Sequence, residues 1–480
     1  MAARSLLVVC VVFLALLSPS HGGAGTPDGS EEWGYVQVRP KSHMFWWLYR
    51  SPQRVEKENG STPWPTVLWL QGGPGASGVG YGNFMEIGPL DSDLKPRPTT
   101  WLAKADLLFV DNPVGTGFSF VEGGDQNLMV RTDAEAADDL TTLLCNLYRD
   151  NNARLRGSPL YIVAESYGGK FAVTTALKAL KAIQDKRLDA NIAGVALGDS
   201  WISPIDFVVT PLFFFFFFLL LLLASYISCI VVSWGPLLYQ VSRIDEEGLR
   251  KCNAVSAKIK EQLQNHQYEE AETSWSKLEE VVMSNSNSDF YNFLKDRAPL
   301  TAAAKRGRSM VASFSFRSKN GYSGYLSSMA TPGPQGGFSG LMNTVIKDKL
   351  GIIPKNVSWG DQSGDVFNVM QGDFMKPRIH EVDQLLELGV NVTIYNGQLD
   401  LICATKGTMD WVQKLKWDGL QNFTNSPRTP IYCSKEGQTG TQAFVKSYKN
   451  LKFYWILGAG HMVSFIHSCC KLNCCELYVC

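Results

Sequence analysis

The sequence predicts an α/β protein: a mostly parallel central sheet with helices on both faces and a helical insertion capping one end. Three observations carry this. Short apolar runs of strand length recur along the chain, among them "TVLWLQ" (66–71), "DLLFVD" (106–111) and "LYIVA" (160–164). Amphipathic helical patterns lie between several of them. A chain of 480 residues is long enough to bury such a sheet on both sides. Strands that alternate with helices pack as a parallel sheet between helical layers.

The elements follow in order. "GYVQVRPKSHMFWWLYR" (34–50) reads as two strands around a short turn. After the runs at 66–71 and 106–111 comes a helix over "TDAEAADDLTTLLCNLY" (132–148), then the strands at 160–164 and "IAGVAL" (192–197). A second helix is expected over "IHEVDQLLELG" (379–389), with strands at "NVTIYN" (391–396) and "KFYWIL" (452–457). Residues 242–350 differ. They hold charged helical segments and then a poorly periodic Ser/Gly-rich stretch, Ser309–Gly340, and read as the capping insertion. Within them, "KRGR" (305–308) is either a processing site or a solvated loop. The core is thus expected in two parts, 34–206 and 351–463.

Composition narrows the function. The net charge is zero and acids and bases are mixed, which gives no surface for nucleic acid. Arg4, the apolar run Leu6–Leu17 and small residues after it read as a secretory signal over residues 1–23. The competing reading, a first transmembrane anchor, needs a longer run. Asn59, Asn356, Asn391 and Asn422 each begin a glycosylation sequon, consistent with a secreted or lysosomal protein. Of eleven cysteines, Cys469, Cys470, Cys474, Cys475 and Cys480 crowd the end, and the pairing does not follow from the sequence.

The chemistry centres on "AESYGGK" (164–170). It sits where an expected strand turns sharply into an expected helix, the context of the nucleophile elbow of α/β-hydrolases. Ala164 and Gly168 supply the small residues that a close strand–helix approach needs. Ser166 is then the candidate nucleophile. A serine hydroxyl needs a base, and that base needs a carboxylate to hold it. Asp400 follows the strand at 391–396 and His461 follows the strand at 452–457, in the chain order Ser, Asp, His. "LQGGPGASG" (70–78) follows an early strand, and its glycines leave backbone N–H groups uncovered. The oxyanion donors are expected from Gly73 and Tyr167.

"WLQGGPGASG", "EIGPL", "LLFVDNPVGTGFSF", "ESYGGK", "YNGQLD" and "AGHMV" together resemble the serine carboxypeptidase family. The resemblance runs from about residue 34 to 463. It implies an exopeptidase that removes single residues from peptide and protein C-termini by acyl transfer, with no cofactor. It also implies that Trp69, Gln71, Glu86 and Glu165 bind the substrate's terminal carboxylate, although the family often has Asn where this chain has Gln71. An ionised glutamate repels a carboxylate, whereas a protonated one donates a hydrogen bond to it. The implied enzyme therefore works in acid. A homodimer is compatible with the sequence.

Two segments depart from the family pattern. Residues 207–232 interpose a strongly apolar run between "SWISPID" and "SWGPLLY", as a translated intron end would. Leu212–Val232 is long enough to span a bilayer, but a span there would separate Ser166 from Asp400 and His461. Residues 464–480 form an atypical Cys-rich tail. His467 lies among its cysteines in spacings that fit no standard zinc pattern, so no metal is expected. Besides an active peptidase, the sequence leaves an inactive relative and a membrane-anchored lumenal protein as alternatives.

Overall fold

The computed structural model describes residues 24–54, 64–149, 155–208, 234–296, 337–432 and 440–463. The expected signal peptide, Asn59, most of the apolar run, the "KRGR" cluster and the Cys-rich tail lie outside these residues. Among the described residues the strands are β1 (Ala24–Gly25), β2 (Glu31–Arg39), β3 (Ser42–Tyr49), β4 (Thr66–Leu70), β5 (Asp106–Val110), β6 (Phe120–Val121), β7 (Pro159–Glu165), β8 (Asn191–Gly198), β9 (Ser288–Asp289), β10 (Asn292–Asp296), β11 (Asn391–Gly397), β12 (Thr429–Tyr432), β13 (Thr441–Tyr448) and β14 (Leu451–Ile456).

All but β9 and β10 join one sheet, in the order β1-β2-β3-β5-β4-β7-β8-β11-β14-β13-β12, with β6 beside β3. The run β5-β4-β7-β8-β11-β14 is parallel, and both flanks are antiparallel. Every residue of β4 and β5 is buried, so both faces of the centre are covered. That is the expected layered architecture. The sheet starts earlier than expected: β2 begins at Glu31, and β1 pairs with it through Ala24 and Gly25. The hairpin partner of β14, β13, escaped the sequence reading because its residues are mostly half-exposed and lack a continuous apolar run.

The principal helices are α1 (Asp133–Arg149), α2 (Gly168–Gln184), α3 (Glu246–Gln264), α4 (Tyr268–Ser286) and α5 (Ile379–Glu387). α1 opens with a reciprocal cap. The Glu135 amide donates to Thr132 Oγ1 at 3.2 Å, and the Thr132 amide donates to Glu135 Oε2 at 3.1 Å. α3 is capped by Asp245, whose carboxylate accepts from the Gly248 amide at 2.8 Å. α3 and α4 form the expected helical insertion and lead into the β9–β10 hairpin.

Phe207 and Val208, the first residues of the expected apolar segment, are buried in the core, and Phe207 stacks on Trp201 at 5.1 Å. They close the helix Pro204–Val208. Among the described residues no helix is long and apolar enough to cross a membrane. Cys145, Cys252 and Cys403 are buried free thiols.

Candidate active site

The parallel strands deliver the candidate residues to one edge of the sheet, because parallel strands all end on the same side. β7 ends at Glu165, and the chain turns at Ser166 into α2. Ser166 has φ 59°, a left-handed conformation that is costly for a residue with a Cβ. Such strain costs about 1–3 kcal/mol and persists only where the surroundings enforce it. Here they do. The Ser166 amide donates to Gly198 O at 3.0 Å, and Ser166 O accepts from Gly169 N at 3.1 Å and Trp201 N at 2.9 Å. A side chain at Gly168 would fall 2.4 Å from Leu70 O, and one at Gly72 would fall 2.6 Å from Ser166 Cβ. The small residues of the motif are therefore demanded by contact between turn, helix and the neighbouring loop.

Asp400 and His461 come together. His461 Nδ1 lies 2.8 Å from Asp400 Oδ2, and neither side chain is exposed to solvent. The His461 amide donates to Tyr291 O at 2.8 Å, and the two rings meet edge to face. Tyr291 belongs to the wall of a pocket that also holds Ser166, Gly73, Tyr167 and Gln362. The expected oxyanion residues thus share one pocket with the elbow. Gly73 has φ +108°, which a side chain would strain. The glycine loop is anchored from behind by Asp111. That carboxyl accepts from Ser77 Oγ at 2.6 Å, from the Val79 amide at 3.1 Å and from the Phe118 amide at 2.7 Å. Burial pushes its pKa up to about 6, even against these donors.

Trp69, Gln71, Glu165 and Glu86 form a buried chain. Trp69 Nε1 donates to Gln71 Oε1 at 2.7 Å, and Gln71 Nε2 donates to Glu165 Oε1 at 3.1 Å. Glu165 in turn bonds with the Glu86 carboxyl. Burial first, and the neighbouring Glu86 second, hold the Glu165 carboxyl well above the usual range. A model of the serine carboxypeptidase family matches residues 22–478. The chain belongs to the serine carboxypeptidase family.

Serine carboxypeptidase-like 51 of Arabidopsis thaliana is 49% identical, over 98% of this chain and 97% of that one. Retinoid-inducible serine carboxypeptidase of Mus musculus is 44% identical, over 91% of this chain and 88% of that one. The solved structure of a prohormone-processing carboxypeptidase from Saccharomyces cerevisiae superposes with a TM-score of 0.69 at 22% identity, covering 95% of this chain and 92% of that one. This last likeness concerns the fold, which is that of the α/β-hydrolases.

Several residues around this candidate site are not legible in the sequence of this serine carboxypeptidase family member. Trp275 and Glu279 of α4 line the pocket at Ser166, together with Trp201, Phe367 and Phe374. α4 reads as an ordinary charged helix, and only the tertiary structure turns this face inward. Lys170, the last residue of "ESYGGK", is fully buried. Its ammonium donates to Asp373 O at 2.6 Å and lies 3.3 Å from Asp133. Asp199, just past β8, is buried beside Asp400. An acid directly after a strand that neighbours the elbow strand was the available signal.

Asp400, Cys403 and His461 bring their ligand atoms within 4.8 Å of one another. Burial and the nearby acids Asp400, Asp199 and Glu165 push the Cys403 thiol well above its ordinary range. A metal ligand must be a thiolate, and the Asp400 and His461 atoms are engaged with each other. The trio is a hydrogen-bonded pair with a neutral thiol beside it. Of the sequons, Asn356, Asn391 and Asn422 are all exposed. Asn391 Nδ2 donates to Ala193 O at 3.1 Å and Asn422 Nδ2 to Tyr448 Oη at 3.1 Å.

Proposed function

We propose that this chain is an acid-acting serine carboxypeptidase that releases C-terminal amino acids from peptides through an acyl-enzyme on Ser166. The observation that carries the reading is the fully buried His461–Asp400 pair at 2.8 Å, set behind the pocket that holds the strained Ser166. In this reading Asp400 accepts the Nδ1 proton of His461 and leaves Nε2 free of a proton to act as base. His461 takes the Ser166 proton as Oγ attacks the scissile carbonyl, and then gives it to the departing amino acid. The N–H groups of Gly73 and Tyr167 receive the oxyanion. Water then repeats the sequence to free the acyl chain.

The exopeptidase specificity falls to the acidic pair. Glu165 and Glu86, protonated and linked to Gln71 and Trp69, present donors to the terminal carboxylate. Because the Glu165 pKa is raised, the donor form is present below it and is lost as pH rises through it. Binding of peptide acids therefore weakens on the alkaline side. The secretory route, whether secreted or lysosomal, rests on the leader pattern and the exposed sequons, and it fits an acid optimum. Asn356 is exposed, and among the described residues its side chain makes no hydrogen bond. The test is release of a free C-terminal amino acid from a blocked dipeptide. Wild type releases it, and Ser166→Ala does not. Equal rates would remove Ser166 from the role.

A further inference from the structure

We infer that Asp199 is a positioning residue for the reaction, holding the Asp400 carboxylate in place by donating a hydrogen bond to it in its own protonated form. This rests on the proposed role of Asp400 and extends it by one residue.

The geometry leads there step by step. Asp199 has no solvent exposure and sits at φ 42°, just after β8. Its Oδ1 accepts from the Gly397 amide at 2.8 Å and from Asn396 Nδ2 at 3.0 Å, so the next strand, β11, fixes the carboxyl group. Its Oδ2 finds no donor among the described residues. The group within reach is the Asp400 carboxyl. The Asp400 oxygens already accept from His461 Nδ1 at 2.8 Å and from the Cys403 amide at 3.3 Å. Two carboxylates facing each other are both acceptors, and they repel. One proton removes both difficulties, because it turns the orphaned oxygen of Asp199 into a donor and cancels the second charge. Burial and the adjacent Asp400 favour that proton on Asp199. The titratable groups facing Asp199 are Asp400 and, farther off, Glu86 and Glu165 on one side, with the neutral Cys403 thiol and His461 beyond Asp400.

The consequence is a second pH-sensitive point, distinct from the glutamates. Losing the Asp199 proton sets two negative charges against each other and frees Asp400 to rotate away from His461. Misplacing a catalytic group by about 1 Å can cost about 10²-fold in rate. This loss applies to every substrate, whereas the glutamates matter only for substrates with a free carboxylate.

The experiment uses hydrolysis of a blocked amino-acid ethyl ester, which has no terminal carboxylate, by the full-length enzyme across pH. Asp199→Ala should lower kcat about 10²-fold with KM little changed. Asp199→Asn keeps the acceptor for Gly397 and gives Asp400 a donor that cannot ionise. It should recover most of that loss and carry the alkaline limb to higher pH than in wild type. Equal kcat for the Ala and Asn variants, or an alkaline limb unmoved by Asn, overturns the inference. If the Ala variant does not fold, the limb of the Asn variant decides alone. Ser166→Ala in the same assay separates the two readings. If ester hydrolysis does not depend on Ser166, the proposed mechanism fails. If it depends on Ser166 but not on Asp199, only the role of Asp199 falls.

Discussion

Two buried clusters of charge flank Ser166 along the chain, and they are built in opposite ways. After it, Tyr167 and, in α2, Lys170 meet Asp133, Asp373 and Arg378. Arg378 bonds to Asp133 at 2.8 Å and to Asp373 at 2.6 Å, and Tyr167 Oη donates to Asp133 at 2.8 Å. Lys376 also reaches Asp373 at 3.0 Å, so the acids of this cluster are met by cations. Before it, Glu165 leads a group of buried acids, Glu86, Asp199 and Asp400, that act on one another, with the Arg97 charge reaching Glu86. Burial and the neighbouring acids raise the Glu165 and Asp199 carboxyls, which favours their protonated forms. Burial opposes ionisation of Asp373 too, but Lys170 and Arg378 outweigh it and hold its pKa below the usual range, while that of Glu165 is pushed up. Burial still raises Asp133 and lowers Lys170 in the first cluster, so cations offset the penalty there in part, at Asp373, whereas Glu165 and Asp199 are both raised on the other side of the elbow. Cations give a rigid scaffold, and protons give a site whose hydrogen-bond donors depend on pH.

That contrast can be broken by experiment. The largest effect belongs to the residue between the clusters. Ser166→Ala should reduce peptidase kcat by several orders of magnitude with thermal unfolding little changed, since alanine keeps the Cβ and removes only a hydroxyl. Residual activity within tenfold of wild type would end the comparison. Next, Lys170→Met should cost about 3–5 kcal/mol of stability, because it leaves buried acids short of a cation. Denaturant unfolding of the secreted protein measures this, and a neutral result would mean that the paired cluster is not the scaffold described.

Glu165→Gln acts on the other side and should be milder. The amide keeps a donor without ionising, so the alkaline limb on a peptide acid should move up by about one pH unit or more. The limb on the matching ethyl ester should stay in place. An unchanged peptide profile would contradict the carboxylate-binding role. The smallest effect concerns stability. Because the Glu165 and Asp199 pKa values are raised in the folded chain, the fold holds protons that the unfolded chain has released. Stability is then fully present below the unfolded carboxyl value of about 4 and declines as pH rises through the folded values. Melting curves from about pH 5 to 8 should show a fall of a few degrees in wild type, and a smaller one when both residues are amides.

The same contrast explains what the sequence made legible. Ser166, Asp400 and His461 could be read because each stands at the end of a strand with a strong apolar signal, in a known order. Trp69, Gln71, Glu86 and Glu165 could be read only through family resemblance, since an isolated Glu in "MEIGPL" says nothing about burial. Lys170 looks like a solvent-facing helical lysine, and its burial depends on Asp373 and Arg378, more than two hundred residues away in the chain. Asp199 was missed for a similar reason. Its meaning comes from β11, which packs beside β8 through a crossover that local pattern cannot show. Charge pairing across distant segments is a tertiary fact, and it decides which acids keep their protons.

The most direct test of the central claim is covalent. Wild-type enzyme treated with a fluorophosphonate at mildly acidic pH should carry one phosphonate per chain. Peptide mass spectrometry should place it on Ser166, and a blocked peptide substrate should protect against it. No labelling, or labelling unaffected by Ser166→Ala, would contradict the account.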